Sequence, residues 1–311
     1  MTLLRAYHLA VALLSAGILS AGAQQAVSPT EHVRLVEQLP NSPRANIDAN
    51  GSLTAENDYA SDDGFGEAVV LQNQSPNHAF VLSGDTSVFY TSNAALTPNH
   101  EIDDVFFVAD AAITWTPITT PHFGAQFIAH GSTFRYDQHS VLDFQSFGAG
   151  VGLTWNLDEL PGISFFARYD FIDMLDRHSE QILRDHEFSV GAQKGFTLGR
   201  AQTLVIGAYL MAGLAEPESA QRDQGGLFLA YRLQMSRSLA AELGYRFAGY
   251  YYNESERVDR GQVLSANLQW RVLEWIDINA SVSLISNGSD DPAFDYSAVT
   301  GGGGLSAHVQ F

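Results

Sequence analysis

Nine charged residues fall at positions where strand alternation would turn them to one side: Asp85, Asp110, Arg168, Asp170, Arg232, Glu242, Arg246, Arg271 and Asp277. On the inner wall of a narrow tube, such carboxylates and guanidinium groups would form a selectivity lining for ions or small polar solutes. The same residues would also serve as an internal ion-pair network that holds the tube together. The cations are 15 Arg and a single Lys, Lys194. That bias suits planar pairing with carboxylates in poorly hydrated places.

Other groupings point to chemistry less firmly. Asp103-Asp104 and Asp290-Asp291 are paired acids, with an Asp-His pair, Asp185-His186, across the rim. Neighbours in a strand face opposite sides, so neither Asp-Asp pair shares a face and both are expected as solvated rim charge. Asp290, Asp291 and Asp295 offer oxygen ligands of the kind that hold Ca²⁺ or Mg²⁺, but acids on a flexible loop bind such ions weakly. Residues 46–57 carry Asp48, Asn50, Gly51 and Thr54 at calcium-loop spacing without the closing Glu. The 10 His show no i, i+4 pair. Gly301 to Gly304 lacks the Lys-Ser/Thr of a phosphate loop and fits a strand in which backbones approach closely. No catalytic residue, metal ligand or cofactor site is assigned, and an enzyme is not expected.

These residues must be positioned by the elements around them. The chain has 311 residues, no Cys, 45% hydrophobic residues and a formal net charge of −19. Its apolar and aromatic content excludes a disordered chain, and its acidity argues against nucleic acid as a partner. Residues 1–23 read as a secretory signal peptide, with Arg5, an apolar run from Leu9 to Leu19, and Ala21-Gly22-Ala23 as the cleavage site. Residues 24–79 read as a polar periplasmic tail with a short helix at Thr30 to Leu39 and a short strand at Glu67 to Gln72.

Residues 80–311 change texture to alternating segments: 80–92, 101–116, 122–135, 141–156, 163–175, 185–196, 202–215, 221–236, 238–252, 259–272, 275–287 and 296–311. In one of them Leu239, Ala241, Leu243, Tyr245 and Phe247 oppose Ala240, Glu242, Gly244 and Arg246. The segments exceed the ~9 to 11 residues that cross a bilayer at a tilt, longer than ordinary sandwich strands. The expected fold is therefore all-β: an antiparallel transmembrane β-barrel of about 12 strands, or fourteen if Glu67 to Gln72 and a split of a long segment join the sheet. One face would meet lipid and the other water or a polar lumen. Connections alternate in length, with short ones such as Leu273-Glu274 at the periplasmic end and longer ones outside. All four Trp (Trp115, Trp155, Trp270, Trp275) fall at the short-turn end, while Tyr90, Tyr136, Phe171, Tyr250, Tyr251, Tyr252 and Tyr296 fall at the other, as two aromatic girdles would.

The last segment ends Leu305-Ser306-Ala307-His308-Val309-Gln310-Phe311, with Leu305, Ala307, Val309 and Phe311 on one face. It resembles the C-terminal signal of Gram-negative outer-membrane β-barrels. That resemblance implies an outer-membrane location, lipid and lipopolysaccharide as surroundings, and the barrel-assembly machinery as the reader of the signal. Tyr90-Thr91-Ser92-Asn93, Phe134-Arg135-Tyr136, Leu142-Asp143-Phe144 and Tyr245-Arg246-Phe247 are similar to uncharacterised outer-membrane barrels. More loosely, they are similar to the barrel parts of exopolysaccharide-export and surface-lipoprotein-assembly proteins, which would imply an export partner. Ser286-Asn287-Gly288 resembles part of the outer-membrane phospholipase motif, but Ile285 stands where its His should be, leaving the Ser without a base. The leading expectation is a narrow channel, with an export or assembly component second.

Overall fold

The computed structural model describes residues 46–47, 53–54 and 80–311, apart from 100, 121, 158 and 161. The expected signal peptide, the helix at Thr30 to Leu39 and the strand at Glu67 to Gln72 lie outside these residues. Residues Asn46–Ile47 and Leu53–Thr54 form a two-stranded antiparallel ladder, within the span read as a calcium-like loop.

Twelve strands follow: β1 Phe80–Thr91, β2 Asp104–Thr119, β3 Phe123–Tyr136, β4 Phe144–Asn156, β5 Ile163–Asp176 and β6 Gln181–Gly199 complete the first half. The second half is β7 Gln202–Glu216, β8 Arg222–Gln234, β9 Leu239–Tyr252, β10 Arg257–Leu273, β11 Ile276–Ser289 and β12 Tyr296–Gln310. Each strand pairs antiparallel with the next, and β12 pairs with β1, closing the barrel. Closure leaves no backbone edge facing lipid, which is what a membrane-spanning sheet requires. Longer connections gather at one end, here the loop end. The shorter ones gather at the turn end, together with Phe80 and Phe311.

Several segments run further than their turn-forming residues suggest. The connection expected at Asp176 to Arg184 shrinks to residues 177–180, because the Asp176 carboxylate accepts from the backbone N–H of His178 and Glu180, both at 2.8 Å. Asp176 thus satisfies the turn from within, and β6 continues up to Gln181.

Burial is inverted relative to a soluble protein. Leu82, Val88, Leu210, Leu227, Leu243, Leu264 and Val309 are exposed on the outside, while Asp85, Ser87, Asp170, Gln224, Asn279 and Ser283 are buried within. Phe80 stacks on Phe311 and on Trp115, and Trp115 on Phe127, with centroids 5.9, 6.0 and 5.1 Å apart. This is an outward aromatic belt at the turn end. Leu305, Ala307, Val309 and Phe311 are all exposed on the same outer face of the closing strand.

The second girdle requires correction. Tyr90 and Tyr251 face outward, but Tyr136, Tyr250 and Tyr252 are buried and Tyr296 packs against the inner cluster of Leu96, Val263, Ile285 and Ala298. Position along a strand fixes depth, whereas parity fixes the face, and these four have inward parity. The expectation that the inner face meets water or a polar lumen is corrected at one end. Phe89, Phe106, Phe134, Phe144, Leu142, Ile172, Met174 and Leu183 form a buried apolar cluster inside the loop end of β1–β6. Large side chains there exclude water and pack as in an ordinary core.

Candidate functional site

All nine expected lumen residues lie on inward-facing positions, where the ladder fixes their partners. Near the turn end, Arg232 stands directly opposite Glu242 in register. Two strands further, Arg271 opposes Asp277, with Nε to Oδ1 at 3.6 Å, and His308 Nδ1 lies 3.9 Å from the other oxygen of Asp277. Asp277 is almost fully buried, so this ion pair works in a poorly screened setting.

Midway along the barrel, Asp85 stands directly opposite Asp110. Like charges in that position repel. Asp85 is held by the hydroxyls of Ser87 at 2.6 Å and Ser306 at 2.9 Å, which accommodate its negative charge across the β12–β1 seam. On β5, Arg168 Nη2 donates to Asp170 Oδ1 at 3.0 Å, two residues apart on one face. Arg246 stands apart from these pairs. Its guanidinium donates to the Tyr250 hydroxyl at 3.3 Å and makes no ion pair with a described carboxylate.

The structure adds residues that the sequence reading did not assign to the lumen. Asp104, expected as rim charge, is buried and accepts from the backbone N–H of Val105, Gln138 and His139 while pairing with the His139 ring at 2.9 Å. Asp185 and Glu187 are buried on the inner face of β6, with His186 turned outward against Tyr169. Arg222 lies over the Tyr250 ring at 4.3 Å. Arg257 lies over the rings of Tyr252 and Phe294 at 3.7 and 3.5 Å and pairs with Asp259 at 3.0 Å. Parity carried the signal for each of these. Arg257 and Asp259 continue the inward series that ends at Arg271, and Asp185 and Glu187 continue that of Ser189.

Charge is segregated around the ring. Strands β1–β6 present Asp85, Asp104, Asp110, Asp170, Asp185 and Glu187 inward against Arg168, with Asp176 at the rim tied into its turn. Strands β8–β11 present Arg222, Arg232, Arg246, Arg257 and Arg271 against Glu242, Asp259 and Asp277. In a ring of twelve, the acidic and basic walls face one another across the lumen. Low-dielectric walls focus such a field on whatever lies between them.

The remaining groupings have structural duties. Asp290 accepts from the Val258 N–H at 3.0 Å, Asp291 caps the 3-10 turn Pro292–Phe294 through the Ala293 N–H, and Asp295 accepts from the Ser289 N–H. Among the described residues, no three His, Asp or Glu side chains converge as a metal site. Ser286 is on the outer face of β11 and Asn287 on the inner, so the serine of that short motif faces away from the lumen.

No family model matches the chain. No curated protein matches it either. Solved structures do. An outer-membrane channel from Pseudomonas putida F1 is 9% identical, with a TM-score of 0.51 over 80% of this chain and 100% of that one. A bacterial polysaccharide outer-membrane secretin is 11% identical, with a TM-score of 0.45 over 75% and 99% of the two chains. The β domain of a Bordetella autotransporter is 9% identical, with a TM-score of 0.42 over 74% and 99%. At such identities the likeness is one of fold. Together with a lipid-facing exterior and a charged interior, it makes the chain a twelve-stranded antiparallel β-barrel of the outer-membrane type.

Proposed function

We propose that this barrel is a narrow channel through which ions or small polar solutes cross the outer membrane. The observation that carries the reading is the opposition of an acidic wall on β1–β6 to a basic wall on β8–β11. A barrel that needed only to be stable could fill its interior with apolar side chains, as the loop end of this one does. Arg246, which pairs with no carboxylate among the described residues, and Asp110, set against another carboxyl group, contribute little ion pairing to the barrel. They are well placed to act on a passing solute.

Single-channel recording from the refolded protein in a planar bilayer tests this. Discrete conductance steps are expected, with a reversal potential in a salt gradient that moves toward cation preference in Arg246→Ala. In Glu242→Ala, which leaves Arg232 without its opposing carboxylate, it should move toward anion preference. Steps whose selectivity ignores both substitutions would remove the charged walls from the mechanism. A folded barrel that stays silent, even with its loop end opened as described below, would favour a barrel component of a polysaccharide or lipoprotein export system.

A further inference from the structure

The longest loop-end connection, residues 92–103, joins β1 to β2, and its first part turns into the barrel. Ala94 is 1% exposed and packs with Phe89, Phe106 and the rest of the apolar cluster inside β1–β6. Two residues later, Leu96 is 8% exposed and seated on Val263, Ile285 and Ala298, which face inward from β10, β11 and β12. The segment Asn93–Thr97 therefore turns inside the loop end and touches both apolar groups.

Asn93 pins the start of that segment. It is fully buried, donates to the backbone oxygens of Thr97 and Ser297 at 2.8 and 3.1 Å, and accepts from the Thr97 N–H at 3.1 Å. Leu96 has φ of 51°, a left-handed conformation that a Leu adopts under strain. Its apolar seat holds it there, so releasing the side chain also releases the backbone. The wall strands are locked in a closed ladder, whereas this segment is held by the Asn93 hydrogen bonds and the Leu96 seat.

We infer that Asn93–Thr97 is a strap that shuts the loop end of the lumen, with Leu96 as its latch. The inference rests on the channel reading: withdrawal of Leu96 from between β10, β11 and β12 opens the path past the charged walls.

The chain has no Cys, so introduced thiols have no background. In the double variant Leu96→Cys/Ile285→Cys, a short bis-methanethiosulfonate should link the two positions, seen as altered migration of the denatured chain. Channel steps recorded before linking should then vanish and return on reduction, while each single variant should be unaffected. Leu96→Asn, which suits a left-handed backbone but forfeits the apolar seat, should lengthen open times. Failure to link, unchanged steps after linking, or unchanged open times in Leu96→Asn would each overturn the strap. Silence of the folded wild type and of folded Leu96→Asn alike would instead overturn the channel reading on which it rests.

Discussion

Arg257 shows what a cation needs in order to sit inside this barrel. Its guanidinium is sandwiched between the Tyr252 and Phe294 rings and bonded to Asp259, which also accepts from Ser289 at 2.6 Å and Asn287 at 3.3 Å. Truncation to Ala would leave a buried carboxylate without its counter-ion. Arg257→Ala is expected to lower unfolding free energy in detergent by about 3 kcal/mol. Arg257→Lys, which keeps the charge but loses the flat stacking surface, is expected to lose about 1 kcal/mol. Equal losses for the two would show that charge alone matters at this position. The nine lumen charges were legible because each stands two or four residues from small or polar inward neighbours. Arg257 escaped because the reading began its strand at residue 259. Asp185 escaped because, read together with His186 as a rim pair, its inward parity went unused.

At the scale of single strands, β12 carries the clearest demand on sequence. The inward positions Gly302 and Gly304 lie opposite Phe89 and Ser87, and a Cβ at either would run into the β1 backbone. Gly302→Val or Gly304→Val should destabilise the closed barrel by about 2 kcal/mol or more, read as a lower temperature for the loss of heat-modifiable migration. Gly301→Val, on the outer face, is the tolerant comparison, since its Cβ would meet nothing nearer than the Ser281 backbone oxygen at 3.6 Å. Deletion of Phe311 should reduce outer-membrane levels. Its backbone exchanges hydrogen bonds with Phe80 at 3.0 and 3.1 Å, and its ring extends the aromatic belt. Unchanged levels would dismiss the terminal residue as an assembly signal. Strand number and order were readable because alternation is clean wherever one face meets lipid and the other carries polar groups. The apolar filling at the loop end was not, for a physical reason. In Val105-Phe106-Phe107-Val108 both faces are apolar, so a period of two no longer distinguishes inside from outside.

For the whole molecule, the exterior belongs to lipid and the interior divides between an apolar loop end and a charged remainder. Such a barrel should migrate as a compact species before heating and as an extended one after, and a chain that shows no such shift would not be closed. Closure has a consequence for how the chain can be built. Eleven of the twelve strand pairings join neighbours along the chain, but the twelfth brings together residues such as Thr91 and Thr300, 209 positions apart. Local hairpins can form early, whereas the final pairing waits for both ends of the sheet to meet. Until then the growing sheet has two raw borders, β1 and β12, whose backbone N–H and C=O groups have no partner and cannot be left bare in hydrocarbon. Insertion of this chain into a bilayer therefore has to be timed with the meeting of its first and last strands, and any agent that escorts it must shield two borders at once.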